Sequence, residues 1–338
     1  MSEEKVEEAM NKDIRAKIVG VGNYYPEKIL TNHDLEKMVD TSDEWITTRT
    51  GIKERRIAAE NETTSDMAAE AAKKAMKNAG IEPAEVELII LATVTSDMNF
   101  PSTACFVQQK IKAINAVALD VSAACSGFPY ALSIAQAYIQ TGQFKTIMIV
   151  AADKLSSITD WEDRNTCVLF GDGAGACILR PTTSKNGLLS LYLGSDGRKS
   201  DLLYMPGGGS ANPITHKMID ERLHYVKMRG SELFKIAIKK MVLSAEKALE
   251  RCGMTIEDID MLVPHQANIR IIKSVGKRLN LRDEQVYTNL EKHGNLSAAS
   301  TITALNDAIL KEAVKKDDII VLSAFGGGLT WGGAVIRW

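Results

Sequence analysis

The sequence predicts an α/β fold built from two duplicated halves. Short β-rich runs such as AKIVGVG, ELIILATVT and TIMIVAA alternate with amphipathic helical stretches such as DMAAEAAKKAMKNAG, and this alternation indicates strands and helices in separate layers. The strand-like runs are apolar almost throughout, which is typical of a sheet covered on both faces. An internal repeat indicates that the layered unit occurs twice.

The repeat relates two segments that lie 173 residues apart, since a helical stretch followed by GIEPAEVELIILATVT, residues 80–95, recurs as GMTIEDIDMLVPHQAN, residues 253–268. In both copies a helix ends at a glycine, an acidic turn follows, and an apolar strand leads into a polar loop. This register assigns Ala92 to the position of His265. Because the spacing is far too long for a solenoid repeat, we predict one duplicated domain with a pseudo-twofold axis.

The repeat also suggests where the halves begin and end. Residues 1–13 are polar and lack apolar periodicity, which predicts a flexible N-terminal tail. We assign the first half to residues 14–186 and the second half to residues 187–338. A polar stretch rich in glycine and serine, at about 195–225, predicts a loop insertion.

The composition excludes several classes of protein. A chain of 338 residues with 45% hydrophobic and 25% charged residues is an ordinary globular protein, large enough for a binding site between two lobes. Its net charge of −2 gives no overall attraction for nucleic acid. The charged N-terminus lacks the apolar stretch of a signal peptide, and no later run approaches the roughly 20 apolar residues of a membrane span. We therefore expect a cytoplasmic protein without a nucleic-acid or membrane partner.

The cysteines indicate neither a disulfide framework nor a zinc site. There are five, an odd number, and they are widely spaced without a CxxC pair or a nearby histidine cluster: Cys105, Cys125, Cys167, Cys177 and Cys252. A buried small apolar residue is the default interpretation of each. Only Cys125 has a sequence context that suggests chemistry.

Cys125 lies in SAACSGF, at the start of a predicted helix. Its small neighbours let other groups approach, and the first turn of a helix directs unpaired N–H groups and the positive end of the dipole toward the sulfur. These features predict a lowered thiol pKa, so Cys125 is a candidate nucleophile for acyl transfer from a thioester. The alternative is a small residue that only packs the helix start.

His265 and Asn295 are the candidates for stabilising a negative charge. His265 follows the predicted strand MLVP, at the edge where polar loops leave a parallel sheet. Asn295 lies in NLEKHGNLSAAS, which the repeat matches to the Cys125 segment, and is predicted to open a helix as Cys125 does. An imidazole and an amide can together hold a developing oxyanion. A lone histidine there is otherwise a satisfied polar residue of the fold.

Two glycine-rich segments allow competing interpretations. Residues Phe325 to Gly328 in AFGGGLTWGG could bring backbone N–H groups close to a substrate oxygen, or form a tight hairpin between apolar strands. Residues 171–176, GDGAGA, suggest a nucleotide-binding loop, but they run into the strand-like CILR instead of opening a helix. This argues against a dinucleotide site.

Several segments together resemble a known family. DVSAACSGF, VPHQAN, KHGNLSAAS and AFGGGLTWG, in that order, and MVDTSDEWITTRTGI resemble the bacterial 3-oxoacyl-[acyl carrier protein] synthase III family of the thiolase-like superfamily, from Ile18 to Trp338. The resemblance implies a thiolase-like α/β fold with layers in the order α-β-α-β-α. It also implies a decarboxylative Claisen condensation of an acyl-coenzyme A primer with malonyl-acyl carrier protein. The products would be 3-oxoacyl-acyl carrier protein, coenzyme A and carbon dioxide, which initiates fatty acid synthesis.

The resemblance assigns roles to the candidate residues. It implies that Cys125 takes the acyl group, with the backbone N–H groups of Cys125 and Gly327 as the oxyanion hole. His265 and Asn295 are implied to hold the enolate formed by decarboxylation. No cofactor or metal is implied, since the coenzyme A thioester is a substrate. Elongating synthases resemble this fold but carry a second histidine at the position of Asn295, so elongation is not expected.

Other residues match the ligand contacts of the family. The coenzyme A contacts so implied are Thr41, Trp45, Arg49, Arg164, Gly230 and Asn268. The implied acyl-pocket residues are Phe100, Leu169, Phe170 and Phe325, with Phe100 contributed by the partner subunit of a homodimer. The implied contacts with the carrier protein are Lys235, Gln266, Ala267, Asn268, Ile269, Arg270, Lys273 and Lys277. Their spacing puts Arg270, Lys273 and Lys277 on one face of a predicted helix, where an acidic partner could dock, although such runs are commonly only solvated faces.

Two other functions remain open from the sequence. A relative in specialised metabolism could use the same three residues to prime a polyketide or to make a quinolone or olefin precursor. An acyl-binding paralogue could keep the fold without turnover. The presence of Cys125, His265 and Asn295 together argues against the second alternative.

Overall fold

The computed structural model describes residues 14–338, and the tail predicted for residues 1–13 lies outside them. The strands are β1 (Arg15–Tyr24), β2 (Lys28–Thr31), β3 (Glu54–Ile57), β4 (Leu88–Ala92), β5 (Val117–Val121), β6 (Ile147–Lys154), β7 (Asp172–Thr182), β8 (Gly187–Ser195), β9 (Leu203–Tyr204), β10 (Lys227–Met228), β11 (Met261–Pro264), β12 (Ile319–Gly326) and β13 (Thr330–Arg337). The helices are α1 (Asn32–Leu35), α2 (Asp43–Thr50), α3 (Thr64–Ala79), α4 (Thr103–Ile111), α5 (Gly127–Gln140), α6 (Arg164–Cys167), α7 (His216–Asp220), α8 (Gly230–Arg251), α9 (Ile269–Arg278), α10 (Leu290–His293) and α11 (Ala299–Leu310).

The two mixed sheets have equivalent topologies. The first runs β1-β7-β6-β4-β5 and the second runs β8-β13-β12-β11. In each, a parallel pair, β4 with β6 or β11 with β12, adjoins an antiparallel pair, β6 with β7 or β12 with β13. In the first sheet β5 pairs with β4. At the corresponding position of the second sheet there is, within residues 14–338, only one isolated bridge, between Leu262 of β11 and Val286. The topology thus repeats as the sequence does, while the division at residues 186 and 187 stays a prediction.

The core contains five layers. Helices α5 and α11 are buried between the two sheets, and their apolar faces contact both. Helices α3 and α4 cover the outer face of the first sheet, and α8 and α9 cover the outer face of the second. Because both faces of each sheet are covered, β4 is buried at every position, as its apolar sequence predicts. The α-β-α-β-α layering is confirmed.

Small residues bring the two halves close together at the centre. A side-chain carbon on Gly127, the first residue of α5, would lie 2.8 Å from the Cβ atom of Ala92 and 3.1 Å from that of Ala298. Only glycine therefore lets the start of α5 approach both the end of β4 and the start of α11. This approach brings the segment after β5 next to the segment before α11.

The region near residues 195–225 is more ordered than the predicted loop. It contains helical turns over residues 197–202, the strand β9, which pairs with β10, and the helix α7. Arg222 forms an ion pair with the buried carboxylate of Asp160 and contacts Glu162 at 3.1 Å. Within residues 14–338, no helix combines the length and the apolar character needed to cross a bilayer.

Candidate active site

Cys125, His265 and Asn295 line one cavity of about 700 Å³. Cys125 follows β5, His265 follows β11, and Asn295 precedes α11. The three residues are separated by up to 170 positions in the sequence, and the central contact between the halves brings them together. Each is buried, with 3 to 7% of its surface exposed.

Cys125 lies in a short turn, Ala124–Ser126, immediately before α5. Ala124 has a left-handed backbone with φ of 44°, which is uncommon for a residue other than glycine and clusters at functional sites. A side-chain carbon on Gly326 would lie 2.6 Å from the backbone nitrogen of Cys125. The glycine-rich segment is therefore a hairpin between β12 and β13 that also packs against the nucleophile candidate.

The predicted low pKa of Cys125 is wrong for this structure. The pKa of the thiol is raised to about 12, chiefly by burial; the Ser297 hydroxyl opposes this rise and the negative charge of Asp153 adds to it. The loss of solvation outweighs the helix start because the sulfur lies beneath the surface. Burial therefore opposes ionisation of the Cys125 thiol in the folded chain.

His265 is held in one orientation and is uncharged. Its backbone N–H donates to the carbonyl of Ser323 at 2.8 Å, and its Nδ1 atom hydrogen-bonds to the Ser300 hydroxyl. The N–H of Gln266 donates to the oxygen of Ser300 at 3.3 Å. This leaves the hydroxyl hydrogen to point at Nδ1, so we assign the ring proton to Nε2. Burial lowers the pKa of His265 to about 3.

Asn295 is fixed by the segment beside it. Its N–H donates to the carbonyl of Leu169 at 2.9 Å, and its carbonyl accepts from the N–H of Gly171 at 3.1 Å. Its Oδ1 atom accepts from the N–H of Ser297 at 2.9 Å, which leaves the Nδ2 amide group as a donor. Asn295 does not open a helix as predicted, because these extended contacts with Leu169 and Gly171 occupy its backbone and α11 begins only at Ala299.

The arrangement combines one thiol with two neutral hydrogen-bond donors. Donors that are fixed before the reaction, in a site that excludes water, stabilise a developing anion without needing a net charge. Among residues 14–338, no group of three or more His, Cys, Asp and Glu side chains is placed to hold a metal ion. The geometry suits a thioester reaction that passes through an oxyanion or enolate.

Known proteins are similar to this chain in sequence, including the segments that carry Cys125, His265 and Asn295. Models of 3-oxoacyl-[acyl-carrier-protein (ACP)] synthase III match residues 119–197, and its C-terminal part matches residues 249–338. A beta-ketoacyl-[acyl-carrier-protein] synthase III of Caldanaerobacter subterraneus subsp. tengcongensis is 56% identical over 329 residues, which are 97% of this chain and 99% of that relative. This chain belongs to the beta-ketoacyl-[acyl-carrier-protein] synthase III family.

Solved structures of similar proteins share the fold of the synthase. The crystal structure of 3-oxoacyl-[acyl-carrier-protein] synthase III from Aquifex aeolicus is 48% identical, with a TM-score of 0.89 over 96% of this chain and all of that one. A priming beta-ketosynthase from a polyketide biosynthetic pathway is 33% identical, with a TM-score of 0.88 over 96% of each chain. A 3-oxoacyl-[acyl-carrier-protein] synthase III and a priming beta-ketosynthase thus share this fold.

The mouth of the synthase cavity carries an aromatic ring and two cations. The guanidinium groups of Arg49 and Arg164 lie 5.9 and 5.1 Å from the ring centre of Trp45. Asn268 lines the same cavity and donates from Nδ2 to the carbonyl of Arg49 at 3.0 Å. Gly230, another predicted coenzyme A contact, also lines the cavity. The hydroxyl of Thr41, the remaining predicted contact, is buried and has no hydrogen-bond partner within residues 14–338.

The acyl-pocket predictions divide into two groups. Leu169, Phe170 and Phe325 line the cavity beside Cys125. Phe100 does not line it and is 84% exposed on this chain. A contribution of Phe100 to a pocket therefore requires a second chain.

The residues matched to carrier-protein contacts surround the cavity unevenly. Lys235, Ala267 and Arg270 line its mouth, Ile269 is half-buried, and Lys273 and Lys277 are exposed on the same helix, α9. Gln266 is fully buried in this chain, and its predicted contact with the carrier protein stays a prediction. Its amide instead donates to the carbonyl of Pro264 at 2.7 Å and accepts from the N–H of Asn289 at 3.0 Å.

Sequence reasoning missed three polar residues that surround the site. Ser297 and Ser300 lie in the NLSAAS segment, in which only the asparagine had been predicted to act, and Asp153 lies one residue before the end of β6 without any motif. The hydroxyl groups of the segment were a usable signal, because a serine hydroxyl can orient a nearby polar side chain, as Ser300 orients His265. The apolar lining from Leu203, Met228, Leu233, Phe234 and Met241 carried no such signal.

Proposed function

We propose that the synthase condenses an acyl-coenzyme A primer with malonyl-acyl carrier protein, with loss of carbon dioxide, and so makes the first carbon–carbon bond of fatty acid synthesis. The observation that carries this proposal is that the thiol of Cys125 and the two neutral donors of His265 and Asn295 line the same cavity. A nucleophile and an anion-stabilising pair are the two components that this reaction needs.

The first half of the reaction transfers the acyl group. The sulfur of Cys125 attacks the thioester carbonyl, the bond to the sulfur of coenzyme A breaks, and an acyl-cysteine forms. The tetrahedral intermediate carries an oxyanion, which we assign to the backbone N–H groups of Cys125 and Gly327. Gly326, beside Gly327, packs against the Cys125 nitrogen, which supports this assignment.

The second half forms the new carbon–carbon bond. Malonyl-acyl carrier protein loses carbon dioxide, and its thioester oxygen becomes an enolate oxygen. Nε2–H of His265 and Nδ2–H of Asn295 donate to that oxygen, and the enolate carbon attacks the acyl-cysteine. Neutral donors suit this step, since they stabilise the enolate without first pairing with the malonyl carboxylate. The thiolate of Cys125 then leaves and takes up one proton.

Substrates reach the site through the cavity mouth. The ring of Trp45 with the guanidinium groups of Arg49 and Arg164 is suited to a purine base and phosphates, because guanidinium groups stack on aromatic rings and pair with phosphate. The cations of Arg270, Lys273, Lys277 and Lys235 form a basic rim on α9 and α8. We assign this rim to the carrier protein and the Trp45 site to coenzyme A.

A homodimer would complete the acyl pocket. Strand β5 is the outer strand of the first sheet, and apolar side chains beside it are exposed: Val117 at 52%, Ile114 at 79% and Phe100 at 84%. An uncovered sheet edge flanked by apolar side chains favours pairing with a second chain. We assign this face to the contact between two copies, with Phe100 contributed to the cavity of the partner.

One other candidate function has a specific observation in its favour. A priming beta-ketosynthase of a polyketide pathway has the same fold as this chain, which supports a role in specialised metabolism as the alternative. The two functions differ in the acyl group that the pocket accepts and in the carrier protein that docks.

The test measures carbon dioxide release and 3-oxoacyl product from malonyl-acyl carrier protein, with acetyl- and branched acyl-coenzyme A as alternative primers. We expect product with at least one primer and none from the Cys125→Ala variant. Transfer to Cys125 without condensation on a fatty-acid carrier protein would favour the specialised pathway. A folded protein that neither acylates Cys125 nor releases carbon dioxide would disprove the synthase function.

A further inference from the structure

Arg55 is a buried cation that the proposed mechanism does not use. It lies on β3 and is 0% exposed. Its guanidinium group donates to the carbonyl of Leu30 at 3.1 Å, to Oδ1 of Asn32 at 2.9 Å and to the carbonyl of Val168 at 2.9 Å. These three acceptors are uncharged, and Nε has no partner within residues 14–338. A buried cation whose hydrogen bonds go to uncharged groups is costly, so its presence calls for an explanation.

Asn32, one of the three acceptors, holds helix α2. Its side chain is buried, with 1% of its surface exposed. Its Nδ2 group donates to Oδ1 of Asp43 at 2.9 Å, to the carbonyl of Ile52 at 2.7 Å and to Oγ1 of Thr47 at 3.3 Å. Asp43 is the first residue of α2, Thr47 lies in its middle, and Ile52 lies just beyond its end. One buried amide therefore fixes α2 along its whole length.

Helix α2 forms one side of the cavity mouth. Trp45, Arg49 and Thr50 line the cavity, and the guanidinium group of Arg49 lies 5.9 Å from the ring centre of Trp45. Trp45 and Arg49 belong to the site that we assign to the base and phosphates of coenzyme A. The position of α2 therefore sets where the nucleotide of a bound substrate lies.

The other end of the Arg55 contact is a wall of the acyl pocket. Val168, which accepts from Arg55, lines the cavity beside Leu169. The carbonyl of Leu169 in turn accepts from the N–H of Asn295 at 2.9 Å. Arg55 also packs against this wall, since a side-chain carbon on Gly171 would lie 3.1 Å from its Cβ atom. Arg55 is thus fixed to the segment that borders the acyl group and the candidate enolate donor.

Apolar packing also joins α2 to this wall. Ile46 of α2 packs with Val168 in one apolar cluster, and Trp45 borders that cluster. Apolar contacts are not directional, so they bring α2 near the wall without fixing its orientation. Hydrogen bonds weaken steeply when they are misaligned, so the bonds of Arg55 and Asn32 add a defined distance and angle.

We propose that Arg55 and Asn32 are positioning residues for acyl transfer. They fix the spacing between the Trp45 site and the thiol of Cys125. An acyl-coenzyme A molecule spans this distance, and contacts with its remote nucleotide accelerate the reaction only if they also place the reacting carbon correctly. The two side chains act through α2 and the pocket wall, since neither lines the cavity itself. This inference rests on the proposed function, because it deepens the coenzyme A role of Trp45.

The experiment compares the acylation of Cys125 by two thioesters that carry the same acyl group. Acetyl-coenzyme A contains the nucleotide, and acetyl-N-acetylcysteamine lacks it. Rates are measured by rapid quench on the full-length wild type and on two variants, with each thioester below saturation. The ratio of the two rates measures how much the nucleotide assists acyl transfer.

The two variants interrupt the contact at different ends. Asn32→Asp keeps an acceptor for Arg55 and supplies an opposite charge, but it removes the amide donors to α2. Arg55→Lys keeps the buried charge but lacks the forked N–H groups that join Asn32 to Val168. In each variant we expect acylation by acetyl-coenzyme A to be about tenfold slower, with acylation by acetyl-N-acetylcysteamine within about twofold of wild type. If one variant does not fold, the other decides.

The matched control is Arg56→Lys, at the next position of β3, where the guanidinium group donates to the carbonyl of Pro26 at 3.3 Å. It should keep the wild-type ratio of the two rates. Equal slowing with both thioesters in Asn32→Asp and Arg55→Lys would indicate a structural role only and overturn the inference, as would an unchanged rate with acetyl-coenzyme A. If wild type reacts equally well with both thioesters, the coenzyme A site is wrong and the inference fails with it. If neither thioester acylates Cys125 in wild type, it is the proposed function that fails.

Discussion

The hydroxyl of Ser300 hydrogen-bonds to Nδ1 of His265, although 35 positions separate the two residues in the sequence. This contact connects α11 to the end of β11 and fixes which ring nitrogen faces the cavity. The orientation of the His265 ring therefore depends on a side chain from the central helix layer. A defined ring orientation is what a directional hydrogen-bond donor needs.

Replacing Ser300 should impair decarboxylation selectively. In Ser300→Ala the ring of His265 loses the partner of Nδ1, at a cost of about 1 kcal/mol, or roughly fivefold in rate. The measurement compares malonyl-acyl carrier protein decarboxylation with acylation of Cys125, which should not change. Thr301→Val is the control, since the buried hydroxyl of Thr301 has no partner within residues 14–338. Equal rates in Ser300→Ala and the control would contradict the tautomer assignment.

Replacing Asn295 should remove one of the two enolate donors. Asn295→Asp keeps the shape and the acceptor for the N–H of Ser297, but it exchanges the Nδ2 donor for an acceptor. We expect condensation to fall by about 10²- to 10³-fold, the usual cost of one lost oxyanion donor. Steady-state product formation measures the loss, and burst acylation of Cys125 should persist. A variant that condenses at near-wild-type rates would show that Asn295 is not a donor.

The buried neutral His265 should make the fold sensitive to acid. Its pKa is near 6.5 when unfolded and about 3 when folded, so between these values the unfolded state binds the extra proton. The contribution of His265 to the free energy of unfolding is therefore fully present above pH 6.5. As the pH falls below 6.5, this contribution decreases by about 1.4 kcal/mol per pH unit. The melting temperature of His265→Gln should fall less between pH 7 and 4 than that of wild type. His293, whose pKa burial lowers to about 4, titrates in both proteins, so parallel curves would refute the assignment.

Reversing charge on the basic rim should weaken carrier-protein docking. Arg270→Glu places a negative charge at the cavity mouth, where an acidic partner is repelled. We expect KM for malonyl-acyl carrier protein to rise about tenfold or more, with acylation by acetyl-coenzyme A retained. Lys316→Glu is the control, because the exposed Lys316 precedes β12 at the opposite end of the strands. Equal effects of the two changes would indicate a general charge effect instead of a docking site.

A charge on Phe100 should separate the proposed dimer. Phe100→Asp puts a carboxylate in the exposed apolar face beside β5, where burial against a second copy would remove its solvation. We expect sedimentation to change from dimer to monomer and condensation to fall with it. Met38→Asp, an exposed apolar residue outside this face, should leave the oligomeric state unchanged. A Phe100→Asp protein that stays dimeric would place the interface elsewhere.

The sequence by itself determined the layers and the identity of the candidate residues. Apolar runs covered on both faces predicted buried strands such as β4, and the repeat placed His265 after β11 as it placed Ala92 at the end of β4. Motif spacing also singled out Cys125 and Asn295. These features depend on local pattern and composition, which the chain carries without folding.

Only the tertiary structure decided how those residues behave. The pKa of Cys125 depends on burial and on Asp153, and the extended conformation of Asn295 depends on Leu169 and Gly171. Cys125 reaches the cavity of His265 and Asn295 because Gly127 lets the two halves approach at the centre. Solvation and hydrogen bonding are set by whichever atoms surround a group in space, and those atoms come from segments far apart in the sequence.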